Sequence, residues 1–368
     1  MVRRVLVVVV LALMGANLAG CSSSTGRTRT VQVDFNYDEF AGSFLDYFPS
    51  HVVVRPGMTV RFAQTWTGAP HTVTFAPRDS VPRLPLFFPG PGVIGQDAAQ
   101  PCYAKTLDAL PLAHTACTKA QQVQPAFDGS YAYYSSGLIL PTGTNANRFD
   151  VKIANNAKPG SYFYYCSVHG IAMGGEITIS PSATVATQKE LNRRARAEAT
   201  QLAAPVLAEY RKEVAGQTPF KGNLAGSGDP TAQAVQAEVN EFTPRTIQAH
   251  VGEKVTWTFV GNHSISFNVP PFTPLFKRRP TGEIVANGDL DRPRGGWPGA
   301  PTGHKPYPSV TDSLVNLDAG RFDGATGLHS SGIGFNTGDT YAVTFTKKGT
   351  YPYACLIHVG MIGKVVVS

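Results

Sequence analysis

The sequence has little helical periodicity. Outside one stretch near its middle, no segment repeats apolar residues at three- and four-residue spacing, which excludes a helical bundle. Its N-terminal apolar run, residues 5–14, is too short to cross a bilayer in comfort. No cluster of basic residues is interleaved with aromatics, so the net charge of +7 gives no nucleic-acid reading. That charge suits acidic partners or anionic surfaces instead. Cysteine and methionine are scarce, at five each, so the places where they stand carry information. Glycine (37) and proline (28) are plentiful, with valines and aromatics in alternation, which is the composition of an all-β protein with long loops. At 368 residues the chain exceeds one ordinary core and suits two domains.

The N-terminus reads as an address. Arg3 and Arg4 precede the apolar run, and Leu18, Ala19, Gly20 and Cys21 follow it, a pattern that resembles a bacterial lipobox. The resemblance implies that Cys21 is lipidated and heads the mature chain. An ordinary secretory signal, with Cys21 a bystander, is the alternative. Residues 1–29 are therefore expected to be signal peptide and tether. The protein would be exported and held by a lipid anchor at the outer face of the cytoplasmic membrane or in the periplasm; firm anchoring needs more than one acyl chain.

Further on, period-two segments at 31–35, 52–54, 60–62, 149–153 and 176–179 read as half-buried strands. Residues 77–126 are Pro- and Gly-rich without clear period, a long loop of the kind that is functional or separately pinned. Between 187 and 215 the period becomes helical: Thr187 and Glu190 fit a capping box, and Leu191, Ala195, Leu202, Val206 and Tyr210 form a stripe expected to pack against a neighbouring domain. Pro205 predicts a kink or two shorter helices, and Gly216 a stop. Residues 222–230 read as a flexible joint. The expected organisation is a first domain over 30–183, a helical linker over 184–229 and a second domain over 230–368.

The second half repeats the first. Gly57, Val60 and Phe62 recur in spacing as Gly252, Val255 and Trp257; His71, Val73 and Phe75 recur as His263, Ile265 and Phe267. Phe127-Asp128-Gly129 and Ser135-Ser136-Gly137 recur as Phe322-Asp323-Gly324 and Ser330-Ser331-Gly332. Gly160, Tyr162, Tyr164, Cys166 and His169 recur as Gly349, Tyr351, Tyr353, Cys355 and His358. Five matches in one order make an internal duplication. Each copy ends with a methionine, Met173 or Met361. A thiolate, two imidazoles and a thioether are the donors of a copper centre with a trigonal His₂Cys plane and a weak axial Met. The candidate ligands are His71, Cys166, His169 and Met173, then His263, Cys355, His358 and Met361.

On these motifs both halves resemble plastocyanin-type cupredoxins, over nearly all of the chain outside the signal and linker. The resemblance implies two tandem Greek-key β-sandwich cupredoxin domains, each with a type 1 copper, in which the His after the Cys lies near the surface and carries electrons out. Two departures stand out. The span from upstream His to Cys is far longer than in simple plastocyanins, and His169–Met173 has one more intervening residue than His358–Met361.

Of the remaining cysteines, Cys102 and Cys117 suit a disulfide in an exported protein, the alternative being a third metal site with His114. His51 and His250 read as surface or strand-edge residues, His304 has no assigned role, and His329 aligns with Tyr134, against a metal role. Electron transfer between redox partner proteins is the leading function, without a small-molecule substrate. Copper storage, delivery or sensing is the alternative, although a cuprous carrier would be richer in methionine. A multicopper oxidase or nitrite reductase is disfavoured: no His-x-His occurs, and no histidine adjoins Cys166 or Cys355. The basic run Lys277-Arg278-Arg279 leads to the expectation that the C-terminal centre has the higher potential.

Overall fold

The computed structural model describes residues 26–35, 40–78, 95–111, 115–140, 147–217, 222–226, 237–261, 263–269, 276–286, 316–326, 329–332 and 337–368. Cys21, His114 and His304, and the readings placed on them, lie outside the described residues. No described helix is long and apolar enough to cross a membrane.

Two β-sandwiches follow one another, built to one plan. In the first, Thr28–Val33 lies between Tyr47–Phe48 and Thr59–Gln64, with Arg148–Lys152 completing the sheet. The facing sheet runs His51–Val54, Gly170–Ile179, Gly160–Cys166, Thr74–Phe75, Tyr133–Ser135, Cys102–Ala104. In the second, Asn223–Ala225 takes the place of Thr28–Val33, again running parallel to the strand that follows the Gly turn, Lys254–Phe259. Its facing sheet runs Thr246–Ala249, Ile362–Val367, Gly349–Ala354, Ser266–Phe267, His329–Ser330. Asn223–Ala225 thus belongs to the second sandwich, although its residues fall in the stretch read as linker and joint. Alternation explains the layers: in Thr59–Gln64 every second residue is buried, and so it is in Lys254–Phe259. Val60 and Phe62 face one core and Val255, Trp257 and Phe259 the other.

The linker is a single 27-residue helix, Gln188–Val214, rather than two short ones. Pro205 is tolerated because it and Gln201, whose carbonyl it leaves without a helical donor, both lie on the exposed face. Thr187 caps the start by accepting from the Glu190 N–H at 3.2 Å. At the other end Gly216, with φ +68°, lets the N–H groups of Gly216 and Gln217 reach the Glu213 and Lys212 carbonyls. The stripe packs as expected between domains. Ala195, Ala199, Ala203, Val206 and Leu207 cover a two-stranded sheet formed by Gly42–Phe44 of the first half and Ala237–Val239 of the second.

The long loop expected at 77–126 carries structure of its own. It holds a short helix, Gln96–Ala99, and Cys102–Ala104 joins the sheet. Cys102 is disulfide-bonded to Cys117. The hairpin of Phe276–Arg278 and Ile284–Ala286 from the second half docks there. Gln96 exchanges two hydrogen bonds with the Ile284 backbone, at 2.7 and 3.0 Å, and Phe276 and Ile284 pack with Cys102, Cys117 and Tyr133. The basic run therefore sits on a hairpin held by the first domain, which removes the reason to tie its charge to the C-terminal centre.

Candidate metal centres

Each cluster is built where two strand ends meet. Cys166 ends Gly160–Cys166, a turn follows, and His169 comes round to the same side before Gly170, with φ +76°, opens the next strand. His71 arrives on the neighbouring segment, bridged to Ile139 and held three residues ahead of Thr74–Phe75, which pairs with Tyr165 and Tyr164. The second half repeats this with Cys355, His358 and His263. In each half the three donor atoms lie within 4.8 Å of one another, and these two groups are the His/Cys/Asp/Glu clusters suited to a metal among the described residues.

The spacings fit a metal. A planar site with bonds of about 2.0–2.3 Å to nitrogen and sulfur needs donors about 3.5–3.7 Å apart. Cys166 Sγ lies 3.9 Å from His71 Nδ1 and 3.4 Å from His169 Nδ1. Cys355 Sγ lies 3.6 Å from His358 Nδ1, and the Nδ1 atoms of His263 and His358 are 3.1 Å apart. Met173 and Met361 are fully buried in the same core clusters as Cys166 and Cys355. A trigonal His₂Cys set with a buried thioether is the donor chemistry of copper.

The surroundings of both sulfurs are duplicated. The Thr72 N–H points at Cys166 Sγ and the Ser264 N–H at Cys355 Sγ, both at 3.4 Å. Their hydroxyls accept from the N–H after each cysteine: Ser167 to Thr72 at 2.7 Å, Leu356 to Ser264 at 2.8 Å. Ser136 and Ser331 in turn accept from the Val73 and Ile265 N–H groups. Reading the repeats alone identified these serines as matching but gave them no role; they fix the loop that carries the upstream histidine.

What lies behind the two upstream histidines differs. Asp34, wholly buried, accepts from His71 Nε2 at 3.1 Å and from Thr67 Oγ1 at 2.5 Å. Its other oxygen accepts from the N–H groups of Phe35 and Phe44. In the second half the residue in register with Asp34 is Gly226, since Val33 pairs with Gln64 as Ala225 pairs with Phe259. A side chain there would sit 2.4 Å from His263 Nε2. The electrostatics follow. Burial lowers the proton affinity of His71, yet the hydrogen bonds it donates to Asp34 and Cys166 raise its pKa to about 9. Burial lowers that of His263 to about 4, with only the Val260 backbone opposing it. Burial pushes the Cys166 thiol up, but the neighbouring His169 carries it well below its usual range. Cys355 stays raised by burial. His358 is driven well down by burial and by His263.

The two centres also differ in exposure. His169 is partly exposed, whereas His358 is 6 % exposed and faces the first domain. There the Val359 N–H donates to the Thr67 carbonyl, and a Cβ on Gly68 would lie 1.7 Å from the Ile357 oxygen. Glu238, partly buried between the halves, approaches His358 Nε2 to 4.0 Å. Burial raises its pKa, opposed by His169 and His71, so its field reaches both centres. Asp34 and Glu238 were not found from the sequence. The available signal for Asp34 was one acid closing a strand pattern, next to a glycine in the matching place. The remaining histidines stay apart: His51 and His250 are exposed, and His329 packs on Phe322 with ring centres 4.6 Å apart.

Residues 316–368 match the family of copper binding proteins described as plastocyanin/azurin. With the sandwich plan and the donor geometry above, the match makes the second sandwich similar to plastocyanin-like cupredoxins. The match lies in the second sandwich and includes Cys355, His358 and Met361; the first sandwich is tied to it by the shared topology. Similar solved structures include a purple cupredoxin from Nitrosopumilus maritimus, 20% identical, covering 35% of this chain and 83% of that one, TM-score 0.18. A reduced auracyanin from Roseiflexus castenholzii is 17% identical, covering 42% and 98%, TM-score 0.23. At these TM-scores the likeness carries no argument, and the assignment rests on the family match and the site.

Proposed function

We propose that the protein is an electron carrier with two type 1 copper centres, anchored by lipid at Cys21 outside the cytoplasmic membrane. The observation that carries this reading is the duplication of one donor set, its three His and Cys donor atoms drawn within 4.8 Å of one another in each half. His71, Cys166, His169 and Met173 would hold one ion, and His263, Cys355, His358 and Met361 the other. Bound copper supplies a one-electron couple between the cuprous and cupric states. The chain's own part is to fix the thiolate with a backbone N–H, hold two imidazoles on rigid strand ends and keep water from the thioether side. Partners would be redox proteins meeting the partly exposed His169. We read a carrier and not an enzyme because no His-x-His pair and no histidine beside either cysteine offers further copper ligands.

Copper-loaded protein should contain two ions per chain and show thiolate-to-copper absorption. Folded protein that takes up one ion or none after reconstitution contradicts the reading. Palmitate labelling that survives in Cys21→Ala likewise contradicts the anchor.

A further inference from the structure

The geometry points to Asp34 as the residue that sets the N-terminal copper centre apart, by lowering its reduction potential below that of the C-terminal centre. The inference rests on the proposed type 1 centres and adds a cause that the ligands do not contain.

Four donors converge on the Asp34 carboxylate, two on each oxygen: the Phe35 and Phe44 N–H groups on one, His71 Nε2 and Thr67 Oγ1 on the other. With every near neighbour donating, the group acts as an acceptor only, which is the role of an ionised carboxylate. His71 turns Nδ1 toward Cys166 and Nε2 toward Asp34, so the carboxylate fixes both ring orientation and tautomer. A carboxylate behind a ligand histidine makes it a more basic donor. A more basic donor and a nearby negative charge both favour the more positive, oxidised metal, and so lower the potential.

The matching histidine has no such support. Gly226 stands where Asp34 would be, with φ +100°, and a Cβ there would lie 1.9 Å from the Val260 oxygen and 2.4 Å from His263 Nε2. No acidic side chain fits behind His263 without moving backbone. Glu238 does not offset the difference. At 4.0 Å from His358 it is too far for a hydrogen bond, and its charge is shared with His169 and His71. Asp34 is thus a positioning residue of one centre only.

The test is a redox titration of copper-loaded Asp34→Asn, Thr67→Val and the parent chain, each also carrying Cys355→Ser so that only the N-terminal centre is read. Asp34→Asn should shift the equilibrium toward the reduced form at least tenfold, about 59 mV for a one-electron couple. Thr67→Val keeps the carboxylate but removes one of its four donors, leaving more of its charge for His71, and should shift the equilibrium the other way. Asp34→Glu should restore most of the parental value. If Asp34→Asn fails to fold, the opposite shift in Thr67→Val carries the test alone. Copper bound with an unchanged potential in Thr67→Val and in any folded Asp34→Asn overturns the inference and leaves the two centres standing. Failure of the parent chain to bind copper overturns the functional reading instead.

Discussion

The two metal clusters are copies in their donors and unlike in what lies behind them. Around Cys166 and Cys355 the copies agree down to single hydrogen bonds from Thr72 and Ser264. Behind the upstream histidines one half has Asp34 and the other Gly226. One half shows His169 to the outside, while the other turns His358 against its neighbour. A duplicated scaffold has kept the geometry that the metal chemistry demands, while the side of each site facing the other domain differs.

The comparison is tested most strongly by removing one thiolate at a time. Cys166→Ser and Cys355→Ser should each abolish about half of the visible band, because the two donor sets are equivalent. A spectrum untouched by either change would remove that half from the account.

The docking of the halves comes next. Gly68→Ala would drive a Cβ to 1.7 Å from the Ile357 oxygen, which only separation of the His358 loop from the first domain can relieve. Calorimetry should then show two unfolding transitions in place of one. Gly170→Ala is the control: its φ is +76° but nothing lies within 4 Å, so it should cost only the about 1–2 kcal/mol of a left-handed residue. Equal effects of the two changes would mean that the interface does not hold the halves together.

Reduction of Cys102–Cys117 should cost the first half about 3 kcal/mol, given the loop of 15 residues. The second half has no second cysteine to pair with Cys355, so in the chain uncoupled by Gly68→Ala only the first half's transition should move. If both halves melt earlier, the hairpin of Phe276–Arg278 and Ile284–Ala286 transmits the loss through Gln96.

Much of this was legible because ligand chemistry and strand period are local. Cys166, Ser167, Val168 and His169 fit one turn, and the alternation in Thr59–Gln64 states which residues face the core. What could not be read depends on contacts between distant segments. Nothing local says that Asp34 lies under His71, 37 residues on, or that Glu238 reaches His358. The helix ran through Pro205 because exposure there let water take the freed carbonyl, and exposure is a tertiary property. The insertion at 77–126 looked aperiodic because its strand Cys102–Ala104 is short and is held by a disulfide and by the second half. Asn223–Ala225 is indistinguishable from the joint in sequence because three residues are too few to show a period.

The smallest expected effect concerns acidity. Asp46, raised to about 7 by burial and by Glu198, with the Tyr47 N–H opposing, has Glu241 as its counterpart, which is paired with Arg245. A carboxyl whose folded pKa lies above its unfolded value near 3.8 holds more protons when folded, so stability falls as pH rises between about 4 and 7. In Asp46→Asn the first half should lose that decline. An unchanged slope in chemical denaturation across this range would show that Asp46 is not its source.

The most direct test of two type 1 centres in one chain is a spectroelectrochemical titration of the fully loaded protein, followed at the thiolate-to-copper band. Two one-electron steps of about equal amplitude are expected, the lower one missing in Cys166→Ser and the upper one missing in Cys355→Ser. A single step of half the expected electrons, or two steps that both survive either substitution, would contradict the account.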